Sequence, residues 1–276
     1  MALFIASLNS GSNGNCYYIS NGAEAVLVDA GLTCSETERR MNNLLLSFST
    51  VKAIFISHEH IDHIRGAAQL SKKFQIPVYI NSGTLRHAGL KLQTDLIKNF
   101  RANEKIKIGE LYITPFAKHH DASEPVSFVA ECGGIKTGVI TDIGHACKTV
   151  IHYFKQCHAC FLESNYDDKM LMQGSYPRRL KKRISGNRGH LSNTQALELF
   201  ANHKPHYMTH IFLSHLSENN NHPGLVYNLF QLNSSDVQVV VASRDEESAV
   251  YEIDGKERSE LISLPVEKET LQLNLF

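Results

Sequence analysis

The stretch ISHEHIDHIRG, residues 56–66, places three histidines, one aspartate and one glutamate within eleven positions, directly after an apolar run. Its HxHxDH spacing holds four side chains of the kinds that bind metals: His58, His60, Asp62 and His63. In an extended chain the first two can converge on one ion, whereas the last two turn toward a second position where a helix begins. Single polar residues at strand ends are usually ordinary loop residues, but HxHxDH rarely arises by chance. Because imidazole and carboxylate groups suit zinc, manganese, iron or nickel, the stretch predicts a metal site.

Three further apolar runs are followed by side chains of the same kinds. LYITPFAKH is followed by His120, TGVIT by Asp142 and HIFLS by His215. Strands that end at the same edge of an α/β sheet bring such residues together, and functional sites form there. We therefore expect a site for two divalent ions about 3.5–4 Å apart, as in many hydrolases, with the Asp142 carboxylate able to bridge them.

Length, charge and composition restrict the class of protein. The 276 residues suffice for one large core or two small domains, and 15 histidines accompany no tryptophan. Since 28 basic residues balance 28 acidic ones, any nucleic-acid surface must be a local patch. The first residues lack the basic leader of a signal peptide, and no apolar run approaches the roughly 20 residues of a membrane span, which predicts a cytoplasmic protein.

Strand-like and helix-like segments alternate along both halves of the chain. This alternation, with hairpins such as ECGGIK, predicts an α/β layered fold in which helices cover mixed sheets. We expect one catalytic domain over residues 1–258 and a polar tail over residues 259–276. The six scattered cysteines predict no disulfide framework, and CHAC at residues 157–160 is better interpreted as the start of a buried strand than as a metal or redox motif.

Several motifs together resemble the metallo-β-lactamase fold superfamily. They are LNSGSNGNCYYI, VLVDAGL, ISHEHIDHIRG, HHDASEPVSF, GVITDIG, LESNYD, GHLSN and LSHLSENN, and they span nearly the whole chain. Within that superfamily they look like the YycJ/WalJ-type branch of cytoplasmic bacterial enzymes, described as 5′ to 3′ DNA exonucleases. The resemblance implies a four-layer αββα sandwich, which agrees with the α/β alternation.

The same resemblance implies a role for each matching residue. One ion, zinc or manganese before iron or nickel, would be held by His58, His60 and His120. The second ion would be held by Asp62, His63 and His215, with Asp142 between the two. Asp29 in VDAG would support the metal loop. His190 in GHLSN is similar in placement to a histidine of tRNA-processing relatives that assists catalysis near the phosphate.

Two catalytic roles follow from this chemistry. Asp62 would orient the attacking water or accept its proton, and His190 would donate a proton to the leaving oxygen or hold a phosphate oxygen. The segment GHLSNTQALELF also resembles a capped helix start, with Ser192 as N-cap and Gln195 three residues on, and both readings of His190 can hold together. The chain departs from its relatives at Tyr166, where we expect a histidine, and His119 is expected to pack or cap rather than bind metal.

Two segments are candidates for binding a nucleic-acid backbone. Six basic side chains lie within eleven positions before His190: Arg178, Arg179, Lys181, Lys182, Arg183 and Arg188. A solvated helix face is the ordinary explanation for such a run, but its nearness to a catalytic candidate favours phosphate contacts. The loop SGSNGN at residues 10–15 is either a tight turn or a phosphate-binding loop, with Ser12, Asn13 and Asn15 as its candidate contacts.

The last five residues, QLNLF, resemble the short peptide with which bacterial DNA-repair proteins dock on the sliding clamp. Its anchors would be Gln272, Leu273, Leu275 and Phe276, bound as an extended peptide. The alternative is that this apolar end packs on its own domain.

The sequence therefore favours a DNA exonuclease or a related phosphodiesterase. Within the same fold, an RNA-processing nuclease and a small-molecule hydrolase of thioesters or lactones stay open, as does a non-catalytic metal-binding module. Only 73 positions separate Asp142 from His215, which leaves no room for the inserted domain of β-CASP nucleases. The intact set of seven ligands argues against the non-catalytic alternative.

Overall fold

The computed structural model describes residues 2–234 and 236–256, and within them the chain forms fourteen β-strands, nine α-helices and two 3₁₀ turns. The strands are β1 (Leu3–Asn9), β2 (Cys16–Ser20), β3 (Ala25–Val28), β4 (Val51–Phe55), β5 (Val78–Tyr79), β6 (Ile97–Lys98), β7 (Ile106–Ile108), β8 (Leu111–Ala117), β9 (Val126–Cys132), β10 (Ile135–Ile140), β11 (Ala159–Glu163), β12 (His210–Ser214), β13 (Gln238–Val241) and β14 (Tyr251–Ile253). The helices are α1 (Cys34–Asn43), α2 (Ile61–Ile64), α3 (Ala67–Phe74), α4 (Ser82–Ala88), α5 (Lys148–Phe154), α6 (Asp168–Gln173), α7 (Arg178–Ile184), α8 (Asn193–His203) and α9 (Pro223–Gln231). The 3₁₀ turns are Phe48–Thr50 and Thr94–Leu96.

The strands form two seven-stranded mixed sheets. The first has the order β14-β1-β2-β3-β4-β5-β6, antiparallel from β14 to β3 and parallel from β3 to β6. The second has the order β13-β12-β11-β10-β9-β8-β7, parallel from β13 to β10 and antiparallel from β10 to β7. Each sheet therefore has a parallel half whose strands end at one common edge.

Aromatic side chains fill the space between the two sheets. The ring centroids of Tyr17 and Phe161 are 4.8 Å apart, and those of Phe55 and Phe128 are 5.7 Å apart. On the outer face of the first sheet, α1 and α3 cover a second apolar cluster, and α5, α8 and α9 cover a third on the second sheet. The predicted four-layer αββα sandwich is thus confirmed.

Local sequence signals account for several of these elements. The predicted capping box at the start of α8 is present, with the Ser192 side chain accepting from Gln195 N. ECGGIK forms the β9–β10 hairpin, where Gly133 and Gly134 adopt positive φ. In helix α9, Pro223 occupies the first helical turn, where its missing N–H costs nothing, and the His222 side chain caps the helix.

All six cysteines are free, and Cys157 and Cys160 are buried at the start of β11. Within the described ranges, none of the helices has the length and apolar character needed to cross a membrane. The predicted tail, residues 259–276, and its QLNLF motif lie outside the described residues.

Gly31 is a point where three backbone segments meet. A Cβ atom there would lie 1.7 Å from Asp62 O and 2.6 Å from Asn15 N, so only glycine allows this approach. The backbone bonds Gly31 N to Asn15 O, 2.9 Å, and Asn15 N to Asp62 O, 2.7 Å, tie the three segments together. The β3–α1 connection therefore supports the HxHxDH turn directly.

We expect Gly31→Ala to lower the free energy of unfolding by roughly 1–3 kcal/mol, because the added methyl group must displace the Asp62 backbone. Denaturant unfolding measures this loss, and metal content should fall with it. Gly224→Ala is the matched control, since a Cβ there meets the His222 ring at an ordinary 3.4 Å. Equal stability of the two variants would contradict the close approach at Gly31.

Candidate metal centre

The predicted metal ligands come together beyond the ends of four strands. His58 follows β4, His120 follows β8, Asp142 follows β10 and His215 follows β12. One ligand atom from each residue lies within 4.8 Å of the others in four overlapping groups. Two of these groups are the sets expected from the sequence: His58, His60 and His120, and Asp62, His63 and His215.

The first group is formed by three imidazoles. His58 Nε2 lies 3.0 Å from His60 Nδ1, which is 3.4 Å from His120 Nε2. The far side of each buried ring is held by an oxygen, since His58 Nδ1 donates to Ser57 Oγ (2.8 Å) and His120 Nδ1 donates to Gly189 O (3.1 Å). These bonds place the proton on Nδ1 and leave Nε2 free as a ligand.

The second group follows the same arrangement. His63 Nδ1 donates to Asp29 Oδ2 at 2.7 Å, and the same carboxylate accepts from Ser57 Oγ and Ser57 N, each at 2.8 Å. His63 Nε2 consequently faces Asp62 Oδ2 at 3.5 Å. Asp29, predicted as a support, thus contacts a ligand ring from behind, and it orients that ring and the HxHxDH segment together.

Asp142 lies between the two groups. Its Oδ2 is 3.3 Å from His63 Nε2, and its Oδ1 is 3.3 Å from His215 Nδ1 and 3.9 Å from His120 Nε2. The Asp142 carboxylate is therefore near residues of both predicted sets.

Three of these residues adopt left-handed backbone conformations that non-glycine residues seldom use. The φ angles are 61° at Asp29, 52° at Asp142 and 57° at His215. Nearby hydrogen bonds hold them there: Asp29 N donates to Phe55 O, His215 N donates to Ser10 Oγ, and Asn165 Nδ2 donates to His215 O. Such backbone strain persists only where surrounding contacts hold it in place. At these three residues, the left-handed conformation directs the side chain toward the site.

The residues present fit divalent metal ions. Among the described residues, Asp142 Oδ2 and His215 Nε2 are buried atoms that have no hydrogen-bond partner, although burying an unpaired polar atom is costly. Both atoms face the cluster, and the surrounding ligand atoms are imidazole nitrogens and carboxylate oxygens, which suit zinc, manganese, iron or nickel. A cation in this place would satisfy both atoms.

The charges of the site are strongly coupled. Burial raises the pKa of Asp142, but the neighbouring His215 and His63 outweigh it and hold that pKa well below its usual range. Burial lowers the pKa of His63, but the Asp142, Asp29 and Asp62 carboxylates raise it to about 10. At His58 burial dominates and lowers the pKa well below its usual range, which favours the neutral ring. The carboxylates therefore require positive charge, which metal ions can supply in place of protons.

Glu163, the last residue of β11, was not assigned a role from the sequence. It is fully buried, and its Oε1 accepts from His190 Nδ1 at 2.8 Å and from His215 Nδ1 at 3.0 Å. Its Oε2 accepts from Ile143 N and Leu191 N. Burial raises the pKa of Glu163, but His190 and His215 lower it to about 2. A carboxylate at the end of a buried run, in LESNYD, was the signal that could have identified it.

The candidate phosphate loop, residues 10–15, lies beside the second group of ligands. Ser12 is exposed, and Asn13 Nδ2 donates to Arg244 O at 2.7 Å. Asn15 is fully buried, with its Nδ2 3.1 Å from His63 Nε2 and 3.4 Å from Asp62 Oδ2. Asn15 therefore lies among the ligands, whereas Ser12 is presented at the surface.

The basic segment divides into side chains with partners and side chains without them. Arg183 Nε donates to Asp121 Oδ2 at 2.5 Å, and Arg188 Nε donates to His120 O at 3.1 Å, so they fasten α7 and the turn that follows it to the His120 loop. Lys181 Nζ donates to Met172 O. The exposed side chains of Arg178, Arg179 and Lys182 have no hydrogen-bond or ion-pair partner within residues 2–234 and 236–256.

Two ambiguous residues now have defined surroundings. Tyr166, at the position of an expected histidine, is buried, and its backbone carbonyl accepts from Asn193 N. Burial raises the pKa of Tyr166 to about 12. His119 is exposed and stacks on His145, with ring centroids 4.6 Å apart, so it packs at the surface and is not in the ligand groups.

Comparison with known proteins identifies the family to which the chain belongs. The family model described as "Beta-lactamase superfamily domain" matches residues 24–211. The chain is 34% identical to exodeoxyribonuclease YycJ of Bacillus anthracis over 224 residues, 80% of this chain and 85% of that protein. It is 30% identical to exodeoxyribonuclease WalJ of Streptococcus pneumoniae over 220 residues, 78% of this chain and 81% of that protein.

A solved structure extends the comparison to the fold. The metallo-β-lactamase fold protein YhfI of Bacillus subtilis superposes with a TM-score of 0.71 at 15% identity, covering 91% of this chain and 99% of that one. Family model, relatives and fold therefore agree, and the chain belongs to the beta-lactamase superfamily.

Proposed function

We propose that this protein is a metal-dependent hydrolase of phosphodiester bonds that degrades DNA from the 5′ end. One observation carries the proposal: ring nitrogens of His58, His63, His120 and His215 converge with Asp142, and the exposed cations of α7 lie on a helix that is tied to the His120 loop. The similarity to proteins named as exodeoxyribonucleases supports DNA as the substrate class.

Two divalent ions would occupy the two ligand groups, with Asp142 between them. Zinc or manganese fits the nitrogen and oxygen donors best, and iron or nickel is also compatible with them. Such ions lower the pKa of bound water toward about 7 and offset charge on the phosphate.

The chain itself supplies proton transfer and orientation. Asp62, whose side chain is 17% exposed, is the ligand placed to orient the attacking water or accept its proton. His190 Nδ1 donates a hydrogen bond to Glu163 Oε1. Its Nε2 is therefore the atom that would deliver a proton to the leaving oxygen. The Glu163 carboxylate fixes the His190 ring against rotation.

Helix α7 would bind the DNA backbone next to the site. Arg178 and Lys182 are four residues apart and therefore share a helix face, and Arg179 is three residues before Lys182. Because Arg183 and Arg188 tether this helix to Asp121 and to the His120 backbone, phosphates bound by the free cations would be held at a fixed distance from the ligands. Arg188, predicted to bind substrate, would thus act mainly by positioning.

A substrate panel tests the proposed activity against the alternatives. The panel contains 5′-labelled single- and double-stranded DNA, the same sequences as RNA, and a generic thioester, each with manganese, with zinc and without metal. We expect early release of labelled mononucleotides from DNA, only with metal. Faster cleavage of RNA or of the thioester would assign the site to one of the other hydrolase classes.

A role in DNA repair and binding of the sliding clamp through QLNLF stay predictions from the sequence. The motif lies outside the described residues, so the sequence resemblance alone supports it.

We expect His190→Ala to reduce kcat by about 10²–10⁴-fold, the range of general acid catalysis, while metal content stays unchanged. The reason is that His190 belongs to neither three-ligand set expected from the sequence. It lies with Asp142, Glu163 and His215 in a separate group, where its Nδ1 is bonded to Glu163. Single-turnover kinetics and elemental metal determination measure the two quantities. The exposed His152 on α5 provides the control variant His152→Ala, and loss of metal from His190→Ala would refute the assigned role.

Charge reversal on α7 should weaken DNA binding and flatten its dependence on salt. Replacing both Arg178 and Lys182 by glutamate should reduce the slope of log K against log salt by about two, because two phosphate contacts are lost. Fluorescence anisotropy over a salt series measures this slope. Lys52→Glu with Lys98→Glu, both exposed on the first sheet, gives the same change in net charge, and an equal effect from that pair would rule out a specific contact surface.

A further inference from the structure

Ile61 is an exposed apolar side chain in the middle of the metal-binding turn. Six large apolar side chains are exposed within residues 2–234 and 236–256, and Ile61, 61% exposed, is the one flanked by predicted ligands. His60 precedes it and Asp62 follows it, and both side chains are turned toward the ions' position. Single exposed apolar side chains are common on protein surfaces, but this one lies between two predicted ligands, where a molecule bound at the site would contact it.

The geometry of α2 explains why Ile61 points outward. His63 and Ile64 are buried on the inner face of this short helix, where His63 meets Asp29. Ile61 and Arg65 are four residues apart, and Arg65 keeps helical backbone angles, so both lie on the same outer face. That face therefore carries an apolar group and a cation side by side.

The Arg65 side chain is held in place by one hydrogen bond, and its other N–H donors are not used by it. Its Nη1 donates to Asn13 O at 2.8 Å, which anchors the exposed side chain to the loop at residues 10–15. The guanidinium has five N–H donors in a planar fork that matches a phosphate, so the remaining donors are available. The anchored Arg65 thus stands between the exposed loop tip at Ser12 and the exposed Ile61.

We infer that the outer face of α2 binds the nucleotide next to the scissile phosphate, with Ile61 against its base and Arg65 near its phosphate. This inference rests on the proposed function and adds where the terminal nucleotide lies. Base edges are polar but every base has an apolar face, and isoleucine is among the side chains that proteins insert against base steps. Helix α7 is fastened to the His120 loop, whereas α2 begins directly after His60. We therefore expect the basic face of α7 and the outer face of α2 to contact different nucleotides of the strand.

The test compares a complete 5′-terminal nucleotide with an abasic one in otherwise identical duplexes. In the wild-type chain we expect removal of the base to lower kcat/KM by about threefold to tenfold, the effect of losing part of a buried apolar contact. Ile61→Ser should abolish this difference, and Ile61→Phe should preserve it. Leu232→Ser, at an 86% exposed position after α9, is the control and should behave as wild type.

A binding measurement makes the inference independent of turnover. With 2-aminopurine as the 5′-terminal base, binding to the wild-type chain should change the fluorescence of the base, and Ile61→Ser should lose that change. Arg65→Gln should lower the slope of log K against log salt by about one, the value for one lost phosphate contact. Arg65→Lys keeps the positive charge and should lower the slope less.

The outcomes separate the two claims. A chain that degrades DNA with the same base dependence in Ile61→Ser as in wild type would refute the base contact alone. A chain that shows the fluorescence change but cleaves no DNA would refute the proposed function and leave the contact standing.

Discussion

The site depends on how the outer nitrogens of four histidines are bonded. His58, His63, His120 and His215 each direct Nδ1 to an oxygen, respectively of Ser57, Asp29, Gly189 and Glu163. Each bond occupies Nδ1 and leaves Nε2 facing the site, and together the four bonds orient the four rings. Without these hydrogen-bond partners the four imidazole rings could rotate. Metal binding would then have to order the rings, and the entropy lost in doing so would lower the metal affinity.

The two-sheet architecture is what allows those partners to exist. β4, β8, β10 and β12 end near one another, so ligands from residues 58 to 215 of the chain meet at one place. Left-handed backbone at Asp29, Asp142 and His215 then turns the side chains inward immediately after their strands. The backbone is also closely packed here, because Gly31 lies so near the Asp62 carbonyl oxygen that no side chain would fit between them.

Around this centre the surface is divided between two elements with different attachments. α7 is tied to the His120 loop by Arg183 and Arg188, and it leaves Arg178, Arg179 and Lys182 unpaired. α2 grows directly out of the HxHxDH turn and exposes Ile61 beside Arg65. A polymeric anion with flat apolar bases matches this combination of a rigid cationic helix and a small amphipathic face.

The sequence by itself determined the layered fold, the seven ligand candidates and the segment that carries the free cations. It could do so because strand periodicity, HxHxDH spacing and capping signals such as Ser192 with Gln195 are local, and each depends on residues close together in the chain. The sequence did not predict short elements such as β5 and α4, because two to seven residues contain too little periodicity to distinguish a strand or helix from a loop.

Only the tertiary structure decided which residues support the ligands and which cations are free. Glu163 touches His190 and His215 across 27 and 52 positions of sequence, and such contacts leave no local pattern. Arg188 and Arg178 look alike in the sequence, yet one braces the His120 backbone and the other faces solvent, because burial and hydrogen bonding depend on what the fold places beside each side chain.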